Sequence, residues 1–355
     1  MLSTQATFTP SLLHWYDLYG RKDLPWQHPR EPYRVWLSEV MLQQTQVVTV
    51  IAYFTRFIEH FPTIETLAMG SEDEVLALWS GLGYYSRARH LHQTAKIIHT
   101  QYHGKFPDDL QLLIQLPGIG LSTAAAITSQ AFNQPTAILD GNVKRVLSRY
   151  FLVGGYHAET TAKLWKIANQ CMSEQRPADY TQAIMDFGAI CCTAKKPKCT
   201  TCPLQTTCLA KLNNVVADYP TPKPKKNIPT KSQQFILLHD DAHGVYLEKR
   251  PPHGIWGGLW CTPIIEEEID LMDYVENRYA VKVIQLKKLM TIKHTFSHFK
   301  LNINVFTIET AINEKMCFEP SGHWFSPNEI INLGLPTPIR DMIKRFWETC
   351  LQGTS

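Results

Sequence analysis

Three groups of residues in this chain have the types and spacing to do chemistry. The stretch 35-VWLSEVMLQQTQVVTVIAYF-54 contains no lysine or arginine, yet it carries one carboxylate, Glu39, followed by Gln43, Gln44 and Gln46. Apolar residues at Leu37, Val40, Val47, Val48 and Ile51 have the period of a core helix. A lone glutamate on such a helix reads first as a solvated residue, but in an apolar setting it would keep its proton and serve as a general acid. The second group is 137-AILDGNVKRVLSRY-150, where Asp140 ends an apolar run just before Gly141. Taken alone, Asp140 or Asn142 reads first as a helix N-cap.

The third group is sulfur. Five of nine cysteines (Cys191, Cys192, Cys199, Cys202, Cys208) fall within 18 residues. Cys192, Cys199, Cys202 and Cys208 are spaced C-x6-C-x2-C-x5-C, which suits either a structural zinc site or a [4Fe–4S] cluster. The spacing leaves both open. Lys195, Lys196 and Lys198 lie between the first two, giving the loop a positive face suited to phosphate or simply to water.

Elements of two kinds must position these groups. From about residue 8 to 212 the periodicity is helical, as in 72-EDEVLALWSGL-82, 121-LSTAAAITSQAF-132 and 161-TAKLWKIANQCM-172. In 110-LQLLIQLPGIGLSTAAAITSQAF-132 an apolar helix ends at Gln115, LPGIG turns, and a small-residue helix begins near Ser122. Gly118 and Gly120 permit backbone angles and close approaches that a side chain would block. The second helix then aims free N–H groups outward, an anion site that binds a DNA phosphate without reading sequence; an ordinary helical hairpin is the plainer alternative. The segment 218-DYPTPKPKKNIPTK-231, rich in proline and lysine, reads as a linker. Beyond it the period becomes two: 234-QFILLHD-240 and 245-VYLEKR-250 suggest a hairpin, 299-FKLNINVFT-307 a half-buried strand, and 337-TPIRDMIKRFWETCL-351 a closing helix. The expected fold is a mostly α domain over 1–217, the linker 218–231, and an α+β domain over 232–355.

Net charge is only +3 but unevenly divided, with 23 Lys+Arg against 17 Asp+Glu in residues 1–231 and 12 against 15 beyond. The basic first part suits a polyanionic partner. No run is long and apolar enough to span a bilayer, and the start MLSTQATFTP lacks the pattern of a signal peptide. A soluble, cytoplasmic protein is expected, and in a reducing compartment clustered cysteines point to metal rather than disulfides.

Together, the helix–hairpin–helix, an aspartate some twenty residues later and the cysteine spacing resemble the endonuclease III superfamily of DNA glycosylases. SEVMLQQTQV, GLGYYSRARHLH (81–92), ILDGNVKRV (138–146) and HTFSHF (294–299) narrow the likeness to adenine DNA glycosylases of the MutY type, through nearly the whole chain. That resemblance implies a monomer that removes adenine mispaired with 8-oxoguanine or guanine in double-stranded DNA. It implies a catalytic acid at Glu39, a catalytic carboxylate at Asp140, and Asn142 near the active site. Gln43, Gln44 and Tyr84 would wedge into the duplex and probe the 8-oxoguanine side, and Gln182, Met185 and Asp186 would line or support the adenine pocket. Phe296, Ser297 and His298 would recognise 8-oxoguanine from a Nudix-like C-terminal domain, and the metal would be [4Fe–4S]. Two departures matter. Bifunctional relatives carry a lysine after the LPGxG turn, where this chain has Ser122, so a glycosylase without lyase activity is expected; Leu121 also replaces a basic residue, at the cost of one phosphate contact. The stretch 257–277 lacks R-E-x-x-E-E, so no pyrophosphatase activity is expected. The competing readings are a relative acting on thymine or an oxidised pyrimidine, and a DNA-binding protein without catalysis. Contacts with other repair or replication proteins are not readable.

Overall fold

The stretch around Glu39 does not continue as one helix. In the computed structural model, which describes residues 2–222, 224, 227–265, 269–279, 281–311 and 322–352, a helix spans Pro32–Leu42 and a second spans Val47–His60. Pro32 sits at the helix start, where its missing N–H costs nothing. The helix stops because Gln44 adopts the left-handed conformation, φ 60°, which closes helices and is rarely occupied by non-glycine residues. The break turns the second helix onto a different face. Val48 is 82% exposed and Ile51 38%, so these two do not extend the core face as their periodicity suggests.

Contacts group the chain into two compact units, Met1–Met69 with His90–Lys225, and Gly70–Arg89 with Lys226–Ser355. Residues 223, 225 and 226 of the expected linker, and 266–268 of the stretch 257–277, lie outside the described residues. The first unit is helical. Pro32–Leu42 packs on Leu121–Ala131, which packs in turn on Pro177–Asp186. Close approach is possible because Ala124, Ala125 and Ala126 face inward, fully buried. Phe8, Leu12, Leu147, Tyr150, Ile184 and Phe187 fill a core behind Asp140 and the cysteines.

The helical hairpin forms as its sequence suggests. Asp109 caps Leu110–Ile114 through the N–H groups of Gln111 and Leu112. Gly118 turns with φ +76°, and a Cβ there would lie 2.8 Å from His90 Cβ, so glycine is required. Thr94 secures the turn by donating to the Pro117 carbonyl at 2.8 Å. Gly120 is different. Its φ is −87° and an added Cβ would meet nothing within 4 Å, so the steric need inferred for it is absent within the chain. It is the N-cap of Leu121–Ala131 without a capping side chain, which leaves the first N–H groups of that helix open.

In the second unit the strands β1 (Thr230–Asp240), β2 (Gly244–Lys249), β3 (Trp260–Cys261), β4 (Ile264–Ile265), β5 (Lys282–Thr295), β6 (Lys300–Ala311) and β7 (Gly322–Phe325) form one mixed sheet. Its order is β3-β2-β1-β6-β5, with β4 on β1 and β7 on β2. β1 and β6 run parallel at the centre, while β1–β2 and β5–β6 are antiparallel. Along β6, Leu301, Ile303 and Val305 are buried while Asn302 and Asn304 are half-buried, the alternation expected of a strand with one covered face. Helices span Leu271–Tyr279 and Thr337–Gln352. A third, Glu72–Trp79, opens on a capping box between Ser71 and Glu74. Among the described residues no helix is long and apolar enough to cross a membrane.

Candidate active site

Glu39, Gln43, Gln44, Ser122, Asp140, Asn142, Gln182 and Met185, all singled out in the sequence, line one cavity of about 770 Å³ in the first unit. Glu39 stands on the last turns of Pro32–Leu42. Asp140 caps Gly141–Tyr150, its Oδ1 accepting the Val143 N–H at 2.7 Å. The cap fixes the carboxylate at the cavity wall. Ser122 serves the same end, its hydroxyl accepting the N–H of Leu139 at 3.1 Å and so anchoring the residue before Asp140. Gln43 follows the last helical turn, with its amide 3.5 Å from the Thr123 hydroxyl. Both Gln44 and Tyr84 have positive φ, 60° and 49°; non-glycine residues in this region gather at functional sites.

The two carboxyl groups differ in what surrounds them. Burial raises Glu39 first, and the charge of Asp140 raises it further, to about 7; against this stands one hydrogen bond from Gln130, at 3.3 Å. Burial also raises Asp140. There the N–H groups of Val143 and Asn142, the Arg145 guanidinium and the Asn142 amide all oppose it, as does the positive end of the helix it caps. Glu39, raised to about 7, can hold a proton near neutral pH, whereas the donors around Asp140 favour its ionised form.

Asp186 supports the wall. It is fully buried, and its carboxylate accepts the Arg21 backbone N–H at 2.7 Å, the Arg21 guanidinium at 2.6 and 3.0 Å, and the Gln182 amide at 2.8 Å. Sequence reasoning missed Arg21, Trp26 and Arg145, which also line the cavity. Arg21 and Trp26 sit in RKDLPWQ, which has no periodicity to mark a face. Arg145 was accessible to a spacing rule, being three residues after Asn142 on one helix. It donates to the Asn142 side-chain oxygen at 2.8 Å, to the Gly188 carbonyl at 2.7 Å and to the Cys192 carbonyl at 2.9 Å.

Tyr84 and Phe296, Ser297 and His298 belong to the second unit, where the Tyr84 hydroxyl lies 3.5 Å from Ser297 Oγ. The loop 296–299 bridges β5 and β6. The Phe296 N–H donates to the Phe299 carbonyl at 2.9 Å, and the Phe296 ring packs on Trp256 and stacks on Phe299.

Cys192, Cys199, Cys202 and Cys208, with Cys191, line one pocket in the first unit. Among the described residues no three histidine, cysteine or acidic groups converge as a single metal ion requires. Four thiols around one pocket are a donor set that suits a metal site. Arg149, 3% exposed, straps this loop down. It donates to the carbonyls of Thr193 (2.7 Å), Ala194 (3.0 Å), Tyr219 (2.8 Å) and Val216 (3.1 Å), and an N–H lies 3.4 Å from Cys192 Sγ. Arg149→Met leaves these carbonyls without their charged donor and should cost at least about 3 kcal/mol. A lowered melting temperature, with loss of any yellow-brown absorbance of the purified protein, is the expected result.

The helical hairpin beside a cavity with two unlike carboxyls defines a base-excision DNA glycosylase of the helix–hairpin–helix class. Residues 37–170 match the model of the HhH-GPD superfamily base excision DNA repair protein, and residues 234–345 match the NUDIX domain. The adenine DNA glycosylase of Buchnera aphidicola subsp. Baizongia pistaciae is 40% identical over 97% of this chain and 97% of its own length. That of Mus musculus is 34% identical, covering 98% of this chain and 79% of its own. Among solved structures, a thermostable thymine-DNA glycosylase aligns with a TM-score of 0.54 at 26% identity, over 60% of this chain and 98% of that one. The chain belongs to the adenine DNA glycosylase family.

Proposed function

We propose that this glycosylase hydrolyses the N-glycosidic bond of adenine paired with 8-oxoguanine or guanine in duplex DNA, without cutting the strand. The observation that carries this reading is the cavity in which Glu39 is raised to about 7 beside an Asp140 held by N–H donors. A base must leave the stack before its bond can be attacked, and the cavity is large enough for a purine. Glu39 gives its proton to a ring nitrogen of adenine, the bond to the sugar breaks, and its electron pair leaves with the base. Asp140 faces the positive charge left on the sugar, and water adds to that carbon, losing a proton to the Glu39 carboxylate. Gln43 and Gln44 fill the space the base vacates, while Tyr84, Phe296, Ser297 and His298 of the second unit read the opposite base. Ser122 stands where a lyase would need an amine. The helix behind Gly120 takes a phosphate on its open N–H groups.

The residues also fit a [4Fe–4S] cluster on Cys192, Cys199, Cys202 and Cys208. Bound there, it would tie the loop 192–208 to itself, and Arg145 and Arg149 hold that loop to the helix Gly141–Tyr150, whose first residue follows Asp140. Arg145 connects the Cys192 carbonyl to the Asn142 side chain beside Asp140.

The test is single-turnover base release from duplexes with A opposite 8-oxoguanine, A opposite G, A opposite T, and T opposite G. Adenine is expected to leave fastest opposite 8-oxoguanine, with strand cleavage only after alkali. Release of thymine alone, or cleavage without alkali, would overturn the reading.

A further inference from the structure

The turn 80-SGLGYYSRAR-89 places three left-handed residues in four positions: Gly81 (φ 106°), Gly83 (φ 71°) and Tyr84 (φ 49°). A tyrosine in that conformation persists only where its surroundings over-determine it. We propose that Ser80 and Tyr85 are positioning residues for reading the base opposite the excised adenine: through the Leu335 carbonyl they fix the Tyr84 turn, so that Tyr84 and Ser297 act as one preassembled sensor.

The fixing is done by hydroxyl groups that converge on one buried acceptor. Ser80 Oγ donates to the Leu335 carbonyl at 2.6 Å, and the Tyr85 hydroxyl donates to the same oxygen at 3.2 Å. Ser80, Tyr85 and Leu335 are all buried. The Tyr85 oxygen also accepts the Gly81 N–H at 3.3 Å, which ties the acceptor to the first left-handed residue. The Arg340 guanidinium donates to Ser80 Oγ, so the hydroxyl is held from both sides.

The rest of the turn is braced from both ends. Leu76 fits under Gly334, where a Cβ would lie 2.8 Å from Leu76 Cβ. Asp73 pairs with Lys249 at 2.7 Å, and the Arg89 guanidinium donates to the Gly257 carbonyl. Within the turn, Trp79 Nε1 and Arg87 both donate to the Gly83 carbonyl, at 3.2 and 3.1 Å, and the Arg87 guanidinium lies over the Tyr84 ring. The outcome is a Tyr84 that is 46% exposed yet has its hydroxyl at Ser297. Neither Ser80 nor Tyr85 has to touch DNA to act. They set where Tyr84 stands.

This deepens the proposed function and rests on its reading that Tyr84 and Ser297 sense the opposite base. The experiment measures single-turnover adenine release opposite 8-oxoguanine and opposite guanine for Tyr84→Ala, Tyr85→Phe, Ser80→Ala and Tyr84→Ala combined with Tyr85→Phe. Tyr85→Phe and Ser80→Ala are each expected to lower the preference for 8-oxoguanine about fivefold, the worth of roughly one hydrogen bond, with rates opposite guanine falling less. In the Tyr84→Ala background, Tyr85→Phe should change the preference no further, since its effect passes through Tyr84. Should Ser80→Ala fold poorly, Ser80→Thr, which retains the hydroxyl, is expected to restore the preference. Equal losses on both substrates, or effects that add to Tyr84→Ala, would mean a merely structural role and overturn the proposal. An unchanged preference in Tyr84→Ala would instead overturn the reading of Tyr84 itself. Preference lost in Tyr84→Ala but kept in both hydroxyl variants would sink the positioning role alone.

Discussion

Glu39→Gln is expected to lower single-turnover adenine release by ~10²–10⁴, the usual worth of a positioned general acid, and at the same time to make the protein more stable at alkaline pH. The two effects share one cause. The folded-state value of about 7 lies above the ordinary 4.5, so between those two pH values the native state holds a proton that the unfolded chain has released. Stability therefore falls as pH rises from 4.5 to 7 and stays low beyond, by about 3 kcal/mol for a separation of this size. Glutamine keeps the shape and can still meet Gln130, but it has no proton to lose. Its melting temperature should exceed that of the parent at pH 8 and scarcely differ at pH 4. The parent's rate should drop as pH rises through about 7, because the acid must be protonated to act. A variant with near-parental rates, or one no more stable at pH 8, would remove Glu39 from this role.

Much of the site was legible because its residues sit at marks that local chemistry makes visible. Asp140 precedes a glycine at a helix start, the cysteines repeat at ligand spacing, and Gly118 stands in a turn that needs it. The alternation in 299–307 likewise announced a strand with one covered face. The features that escaped were set by tertiary structure. Apolar periodicity ran unbroken through 35–54, and nothing in it signalled that Gln44 would turn left-handed and carry Val48 and Ile51 to the surface. The run 71-SEDEVLALW-79 shows a capping box and an apolar face, but a face does not say which core it joins. Only the contacts of Ser80, Tyr85 and Arg89 with residues far along the chain reveal that. Arg21 and Arg149 were invisible for a related reason: each acts through acceptors more than forty residues away in sequence.

Asp140→Asn is expected to lower base release about a thousandfold while leaving the fold nearly as stable. At ~4 Å and an effective dielectric near 20, a carboxylate stabilises a unit positive charge by about 4 kcal/mol, and asparagine offers none of that to the sugar cation. As a helix cap, however, asparagine is about as good as aspartate, so the bond from Val143 and the start of Gly141–Tyr150 survive. Asp140→Ala separates the two roles, since it should lose the rate and also about 1 kcal/mol of stability through the missing cap. The charge on Asp140 also helps to raise Glu39. With asparagine in its place Glu39 becomes easier to ionise, and the alkaline fall in the remaining activity should move below the pH of about 7 where the parent shows it. The acid side should change as well: the parent loses rate as Asp140 takes up its proton, above the ordinary 3.8 because burial raises it, and the asparagine variant has no such limb. If the alkaline limb stayed where it was, the two carboxyls would not be sensing each other. The division between a protonated acid and an ionised stabiliser would then have to rest on burial alone.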